Sequence, residues 1–505
     1  MDRPEAASPA LRYATLNTPR EAPRAVRILC MFAFGVIGLI LAATGGMYIY
    51  RGEPDFEYFY KAGAALLEHG SLDAGYERLP TPADGSHNKV HWYWPYSDQP
   101  SGPVFTRGKL DWYWPFVHRS MTLLAWMPYW PAGGVWLALN LLALLTTLRL
   151  VGTHLTGLPA RDWPVTLLLP FLFLGVFWHW EFHLNQIDIV TMLLLVAAFV
   201  HWQQRRTAIA GVWLGLAVLI KITPLLMLVW FALKRQYRTV AVALLTIVIA
   251  GPASDVVAFG PSKTVDHYRA WLNNAVSAGS HRALVLAQRE MDWRNQGIGA
   301  VLSRWLHPTN YNTHFDNEPR ANSNYEPRTL NVVDLPLETI ATIASAVLGL
   351  SLLGLLWLAR RPAKALTPWQ LRFEWALFLL AMLWFMPVMR RYHMIWVFPG
   401  LAMFGGALHH LGLRRAWSVL ALLSIGLVVA GQIALPSKVL IGANMLEARG
   451  MLLGMVALIG LPIILLLLMM ARDPSCMPLT GDPSRLSAQP PPRIPPRAAS
   501  DGPHA

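Results

Sequence analysis

The sequence predicts an all-α, polytopic membrane protein of about 12 transmembrane or half-membrane helices with two large outer loops. Hydrophobic residues fill 54% of 505 positions and charged residues 14%. That is too few charges for a soluble surface and too many apolar residues for one core. The apolar residues fall into blocks of about 20, the length a helix needs to cross the hydrocarbon; Ile28–Tyr50, Leu335–Ala359 and Met451–Ala471 are examples. No long alternating pattern suggests a barrel. Basic residues collect in short turns between the blocks, at Arg205-Arg206, Lys234-Arg235 with Arg238, Arg360-Arg361 with Lys364, and Arg414-Arg415. Such turns mark the cytoplasmic side, so the net charge of +13 is a topology signal. It points to membrane lipids and not to nucleic acid as a partner.

Taken in order, residues 1–25 are polar and read as a disordered cytoplasmic tail. The first span, near 26–50, reads as a retained anchor running outward into a large loop, 51–119. Span two, near 120–149, returns, and spans three (164–180) and four (187–202) form a hairpin with its outer tip at Glu181–Gln186. Between the basic turns at Arg206 and Lys234 the apolar run is interrupted by Lys221-Ile222-Thr223-Pro224. A single span would put those turns on opposite sides. Two short helices meeting at Lys221 keep both on one side, with Pro224 as the break. A broken helix at membrane depth survives only where protein or a cavity satisfies its backbone, which points to a site.

Span seven (239–256) leads to the second outer loop, 257–334; spans eight to twelve follow near 335–359, 373–388, 394–412, 416–435 and 451–471. The even count places both termini inside. Residues 473–505 are Pro-rich and read as a second disordered tail. The two cysteines, Cys30 and Cys476, stand in a span and a tail, so no disulfide is expected in the outer loops.

Several polar residues could carry chemistry. Asp55 stands about five residues past the first span, at the head of a segment whose Phe59, Ala62 and Leu66 share one helical face. A carboxylate there can serve the helix dipole or act as a base. Lys221 is a membrane-depth ammonium, costly to insert, and suits an anion unless it snorkels to the border. Arg390, Arg391 and His393 form a short outer turn against the positive-inside trend. Guanidinium groups there fit either lipid headgroups or a phosphorylated ligand. Asn185 and Gln186 could hydrogen-bond substrate hydroxyls. The nearby His179, Glu181 and His183 do not make a convincing metal set. Aromatic stretches His91–Pro95 and Asp111–Pro115 repeat the pattern Trp-Tyr-Trp-Pro, suited to interface anchoring or to sugar and isoprenoid contact. No Walker loop or dinucleotide fingerprint is present, so no nucleotide-sugar site is visible.

Together these segments resemble one family. Asp-Phe-x-Tyr-Phe with its following helix matches Asp55–Gly70, and a Tyr-x-Pro stretch leads into a span at Tyr113–Trp136. Asn185-Gln186-Ile187-Asp188 opens another span. The run A-G-x-x-L-G-L-A-x-x-x-K-x-x-P covers Ala210–Pro224, followed by the basic Arg235–Arg238 turn. The pattern is similar to bacterial GT-C glycosyltransferases related to polyprenyl-phosphate-mannose-dependent alpha-1,2-mannosyltransferases. It covers roughly 26–260; residues 78–112 look inserted.

The resemblance implies a GT-C-like catalytic domain over 26–472, in the bacterial inner membrane, with its active site on the periplasmic or outer side. It implies an inverting transfer of a mannosyl or related hexosyl group from a polyprenyl-phosphate donor to a lipid or glycan acceptor. Asp55 would then be the general base, and Lys221, Arg390, Arg391 and His393 would hold the donor phosphate. Asn185, Gln186, Tyr58, Tyr113 and Trp114 would contact substrate, with no cofactor or metal required. A lipid-sugar flippase and a surface-polysaccharide polymerase or ligase are the other classes; the first lacks the expected two-half symmetry.

Overall fold

The computed structural model describes residues 22–51, 55–69, 113–311, 328–411 and 445–472. Among these residues the regular structure is all helical. The expected span eleven, residues 1–21 of the N-terminal tail, the C-terminal tail and the 78–112 segment lie outside them; Arg24 and Ala25, expected in the tail, begin the first helix.

Among the described residues five helices are long and apolar enough to cross a membrane: α1 (Arg24–Arg51), α5 (Tyr129–Leu155), α11 (Tyr237–Phe259), α15 (Leu337–Leu358) and α19 (Met451–Arg472). A sixth crossing results if α6 (Trp163–Phe173) and α7 (Gly175–Leu184), bent by 79° at Leu174, count as one. The other described helices are shorter pieces, so the expected count of about 12 transmembrane or half-membrane helices includes no more than six full crossings among the described residues. Of the shorter helices, α8 (Asp188–Gln203), α9 (Thr207–Ile220) and α10 (Leu225–Leu233) have 16, 14 and 9 residues. At about 1.5 Å per residue these are about 24, 21 and 14 Å long, short of a hydrocarbon core of about 30 Å. Two more, α16 (Pro368–Trp384) and α17 (Phe398–Leu411), complete the buried bundle. A shallow layer joins them: α2 (Asp55–His69), α3 (Pro115–Ser120), α4 (Thr122–Ala125), α12 (Pro261–Trp271), α13 (His281–Leu286), α14 (Ile298–Leu306) and α18 (Met445–Ala448).

Sequence explains why the centre is tight. Within α9, Gly211 and Gly215 are four residues apart, one above the other on the helix. A Cβ at Gly211 would fall 2.6 Å from the carbonyl oxygen of Thr239, and one at Gly215 2.7 Å from that of Ala243. Both oxygens belong to α11, so the glycines let the two backbones touch. The α8 helix is buried on nearly every side, which is why its sequence shows no polar face.

Two features place the site. The α8 helix begins at Asp188, α9 runs antiparallel to it and ends at Ile220, and Lys221 follows in an extended conformation (φ −137°, ψ 146°). Lys221 thus returns to the level of Asp188, while the Arg205-Arg206 and Lys234-Arg235 turns lie at the opposite ends of these helices. The α2 helix buries Phe56, Phe59, Ala62 and Leu66, and Gly63 lies so close to α4 that a Cβ would come 2.6 Å from the Met121 carbonyl carbon. That contact pins Asp55, at the helix start, above the bundle.

Candidate functional site

Asp55, Tyr113, Gln186, Lys221, Arg390 and His393 come together at one end of the bundle. The Gln186 side-chain amide donates to Asp55 Oδ2. Its own carbonyl accepts from the Tyr113 hydroxyl at 3.2 Å. Tyr392 also hydrogen-bonds Gln186. Gln186 is therefore the keystone of the site: an amide with donors and an acceptor spans a carboxylate and two phenols. Asp55 Oδ1 is buried and has no hydrogen-bond partner among the described residues. Asp55 lies beyond the α1 span. Burial, with a smaller push from Asp188, outweighs the pull of Lys221 and Arg390 and raises its carboxyl to about 7.

Lys221 Nζ sits 2.8 Å from both oxygens of Asp188 and 3.1 Å from Nε2 of His393. The rings of Tyr113, Tyr392 and Trp396 surround it, with centroids 5.8, 5.7 and 5.7 Å away. An ammonium in this environment needs a counter-charge, and Asp188, fully buried, supplies it. His393 is fixed by accepting the Arg390 backbone N–H on Nδ1 at 2.9 Å. A phosphate oxygen reaching Lys221 must therefore share it with Asp188.

The two arginines of the outer turn separate. Arg390 pairs with Glu290 and with Asp292 at 3.2 Å. Arg391 pairs through Nε with Glu447, and its guanidinium carbon lies over the rings of Trp180 and Trp293, 5.0 and 5.1 Å from their centroids. Its two terminal nitrogens make no hydrogen bond among the described residues. Behind both sits Arg304, fully buried, which donates to the carbonyls of Met291, Asp292, Asn295 and Ala448. Gln296 N–H donates to Met389 O at 2.8 Å and Asn295 Oδ1 accepts from Met389 N at 3.1 Å. The loop 290–297 is thereby locked to the turn that carries Arg390, Arg391 and His393. Burial would raise Asp292, but Arg390 and Arg294 prevail and hold it at about 2.

The remaining expected residues stand apart. Asn185 adopts a left-handed conformation (φ 49°) that ends α7. It donates to Gly45 O at 3.1 Å, while Trp136 donates to its carbonyl at 2.9 Å, so it ties α1, α5 and α7 together. Tyr58 packs edge-on to His118 at 5.7 Å, and Trp114 stacks on Trp271 at 4.1 Å, facing the second outer layer. Glu57, two residues from Asp55, pairs with Lys61 at 2.5 Å.

Sequence reasoning missed Asp188 and Tyr392 as site members, and also the carboxylates Glu290, Asp292 and Glu447 that hold the arginines. For Asp188 a signal existed: a lysine at membrane depth calls for a buried carboxylate, and Asp188 opens the neighbouring helix. For the other three, no pattern in the second outer loop announced them. Among the described residues no group of three or more His, Cys, Asp or Glu side chains is arranged to hold a metal.

No curated protein and no solved structure gives a significant match to the chain. Residues 112–321 match the model of glycosyltransferase family 87. The matched stretch includes Tyr113, Gln186, Asp188, Lys221, Glu290 and Asp292 and excludes Asp55 and the 390–393 turn. With a multi-helix apolar bundle around those residues, that similarity indicates a membrane glycosyltransferase.

Proposed function

We propose that the protein transfers a sugar, mannosyl or a related hexosyl, from a polyprenyl-phosphate donor to a lipid or glycan acceptor at the outer face of a bacterial inner membrane, with inversion. The observation that carries this is Asp55. One carboxylate oxygen is anchored by Gln186, the other has no partner among the described residues, and burial raises the group to about 7. A base poised near neutral pH, held in place with one oxygen unengaged, suits removal of a proton from an acceptor hydroxyl.

In the reaction Asp55 takes that proton as the acceptor oxygen attacks the anomeric carbon. The bond from that carbon to the phosphate oxygen breaks, and polyprenyl phosphate leaves with the electron pair. Charge grows on the departing phosphate, where fixed cations lower the barrier. Arg391, with its guanidinium over two tryptophan rings and its terminal nitrogens unengaged among the described residues, fits a phosphate best. Lys221 adds positive charge from behind Asp188. Arg390 acts by fixing the turn, since Glu290 and Asp292 already occupy it.

The test supplies purified protein in lipid nanodiscs with polyprenyl-phosphate mannose or, separately, a nucleotide-activated mannose, and a mannoside acceptor. Transfer from the lipid donor alone, with inverted anomeric configuration, is the expected result. Transfer from the nucleotide sugar alone, or none from either, rejects the proposal.

A further inference from the structure

A second basic centre lies at the other end of the bundle, near the Arg205-Arg206 and Arg360-Arg361 turns. Arg372, in the second turn of α16, is only partly exposed. Its Nε and Nη1 are shielded from solvent and make no hydrogen bond among the described residues. The side chain lies over the Trp369 ring, 5.1 Å from the centroid. His154, in the last turn of α5, lies within electrostatic range of Arg372 and of His201, in the last turn of α8. His201 Nδ1 faces the Ala197 carbonyl at 2.8 Å, which turns Nε2 the other way. No described carboxylate pairs with Arg372. Glu374, two residues on, is taken by Lys234, which also donates to the carbonyls of Ala359 and Arg361 at 2.8 Å.

A shielded guanidinium with two idle donors is costly, because water is lost and nothing replaces it. The fold carries this cost within electrostatic range of the His154 imidazole, itself in range of His201, an arrangement suited to an anion. The chemistry of the partner follows from the donors: a planar guanidinium fork matches the oxygens of a phosphate. Its place at the end carrying the basic turns, the end the positive-inside pattern assigns to the cytoplasmic leaflet, puts anionic headgroups within reach. We propose that Arg372, with His154 and His201, forms a phosphate-binding site distinct from the Asp55 centre and occupied by an anionic phospholipid headgroup or by free phosphate.

The test uses the full chain in detergent, stripped of lipid and titrated with dihexanoyl-phosphatidylglycerol or with inorganic phosphate, binding being read from the melting temperature. Arg372→Gln keeps most of the side chain's bulk and removes the charge, and Arg360→Gln, on an exposed arginine of the same end, is the control. Wild-type protein should be stabilised by the lipid, and Arg372→Gln should bind it about tenfold more weakly. Arg360→Gln should bind as wild type does. Saturable stabilisation by inorganic phosphate with the same dependence on Arg372 identifies free phosphate as the ligand and equally supports the site. His154→Gln should shift affinity in the same direction, and it carries the test if Arg372→Gln does not fold. Unchanged affinity for both probes in the Arg372 and His154 variants, or an equal loss in Arg360→Gln, overturns the proposal.

Discussion

Replacing Gln186 by leucine removes the one described side chain that donates to Asp55 while keeping its size. The amide holds Asp55 Oδ2 and in turn receives the Tyr113 hydroxyl at 3.2 Å. A hydrogen bond to a charged group contributes about 1.5–3 kcal/mol, and one pH unit corresponds to about 1.4 kcal/mol. Without that donor the carboxylate is harder to form, so the midpoint of Asp55, already raised to about 7 by burial, should rise by about one to two units. The sign is fixed by the role. A base works ionised, so the rate of sugar transfer should climb with pH, level off above about 7 in wild type, and level off only near pH 8–9 in Gln186→Leu. The assay is kcat/KM for a lipid-linked sugar donor between pH 5 and 10. A profile that keeps its midpoint while only its plateau falls would show that Gln186 does not govern the reacting group.

Lys221→Ala leaves Asp188 buried without its counter-charge, a loss of about 3–5 kcal/mol, so it should melt well below wild type. Lys221→Met combined with Asp188→Leu should recover much of that stability yet transfer poorly. Wild-type melting of Lys221→Ala would mean that the pair is not formed. Arg390 and Arg294 hold Asp292 at about 2. Its stabilisation is therefore complete above the ordinary carboxylate value and disappears as pH falls through about 2. Arg390→Gln should lower the melting temperature at pH 5 and do so much less at pH 2; an equal loss at both contradicts the pairing. Reporter fusions at Gln236 and Gly70 should read cytoplasmic and exported. An exported signal at Gln236 would show that the Arg206–Lys234 segment crosses once.

Much of the site could be read from sequence because membrane depth makes polar residues conspicuous. Lys221 stood out in an apolar run interrupted by Pro224, and the structure breaks the helix there, between Ile220 and Leu225. The α2 helix followed from the spacing of Phe59, Ala62 and Leu66, all buried. Span counting fared worse. Hydropathy registers apolar length, but α6 and α7 are bent at Leu174, and α8 is buried by other protein, which looks the same as burial in lipid. Asn185 has a structural task that sequence did not announce: it forms a left-handed helix end and donates to Gly45. Arg390 and Arg391 looked equivalent as neighbours. Only the tertiary placement of Glu290, Asp292, Glu447 and the two tryptophans distinguishes them, and those contacts bridge 56 to 100 residues or more.

Asp55→Asn tests the central claim most directly. The change keeps size and hydrogen bonding but removes the base, and it also relieves the burial cost of a carboxylate, so the protein should fold and melt at least as well as wild type. Loss of a positioned base costs about 10²–10⁴ in rate. Had Asp55 served only the dipole of α2, the change would cost about 0.3–1 kcal/mol of stability and leave the rate alone. The purified variant, given a polyprenyl-phosphate sugar and acceptor at pH 8, should transfer almost nothing while melting normally. Turnover within a few-fold of wild type would contradict the assignment of Asp55 as the base and, with it, the reaction proposed for this site.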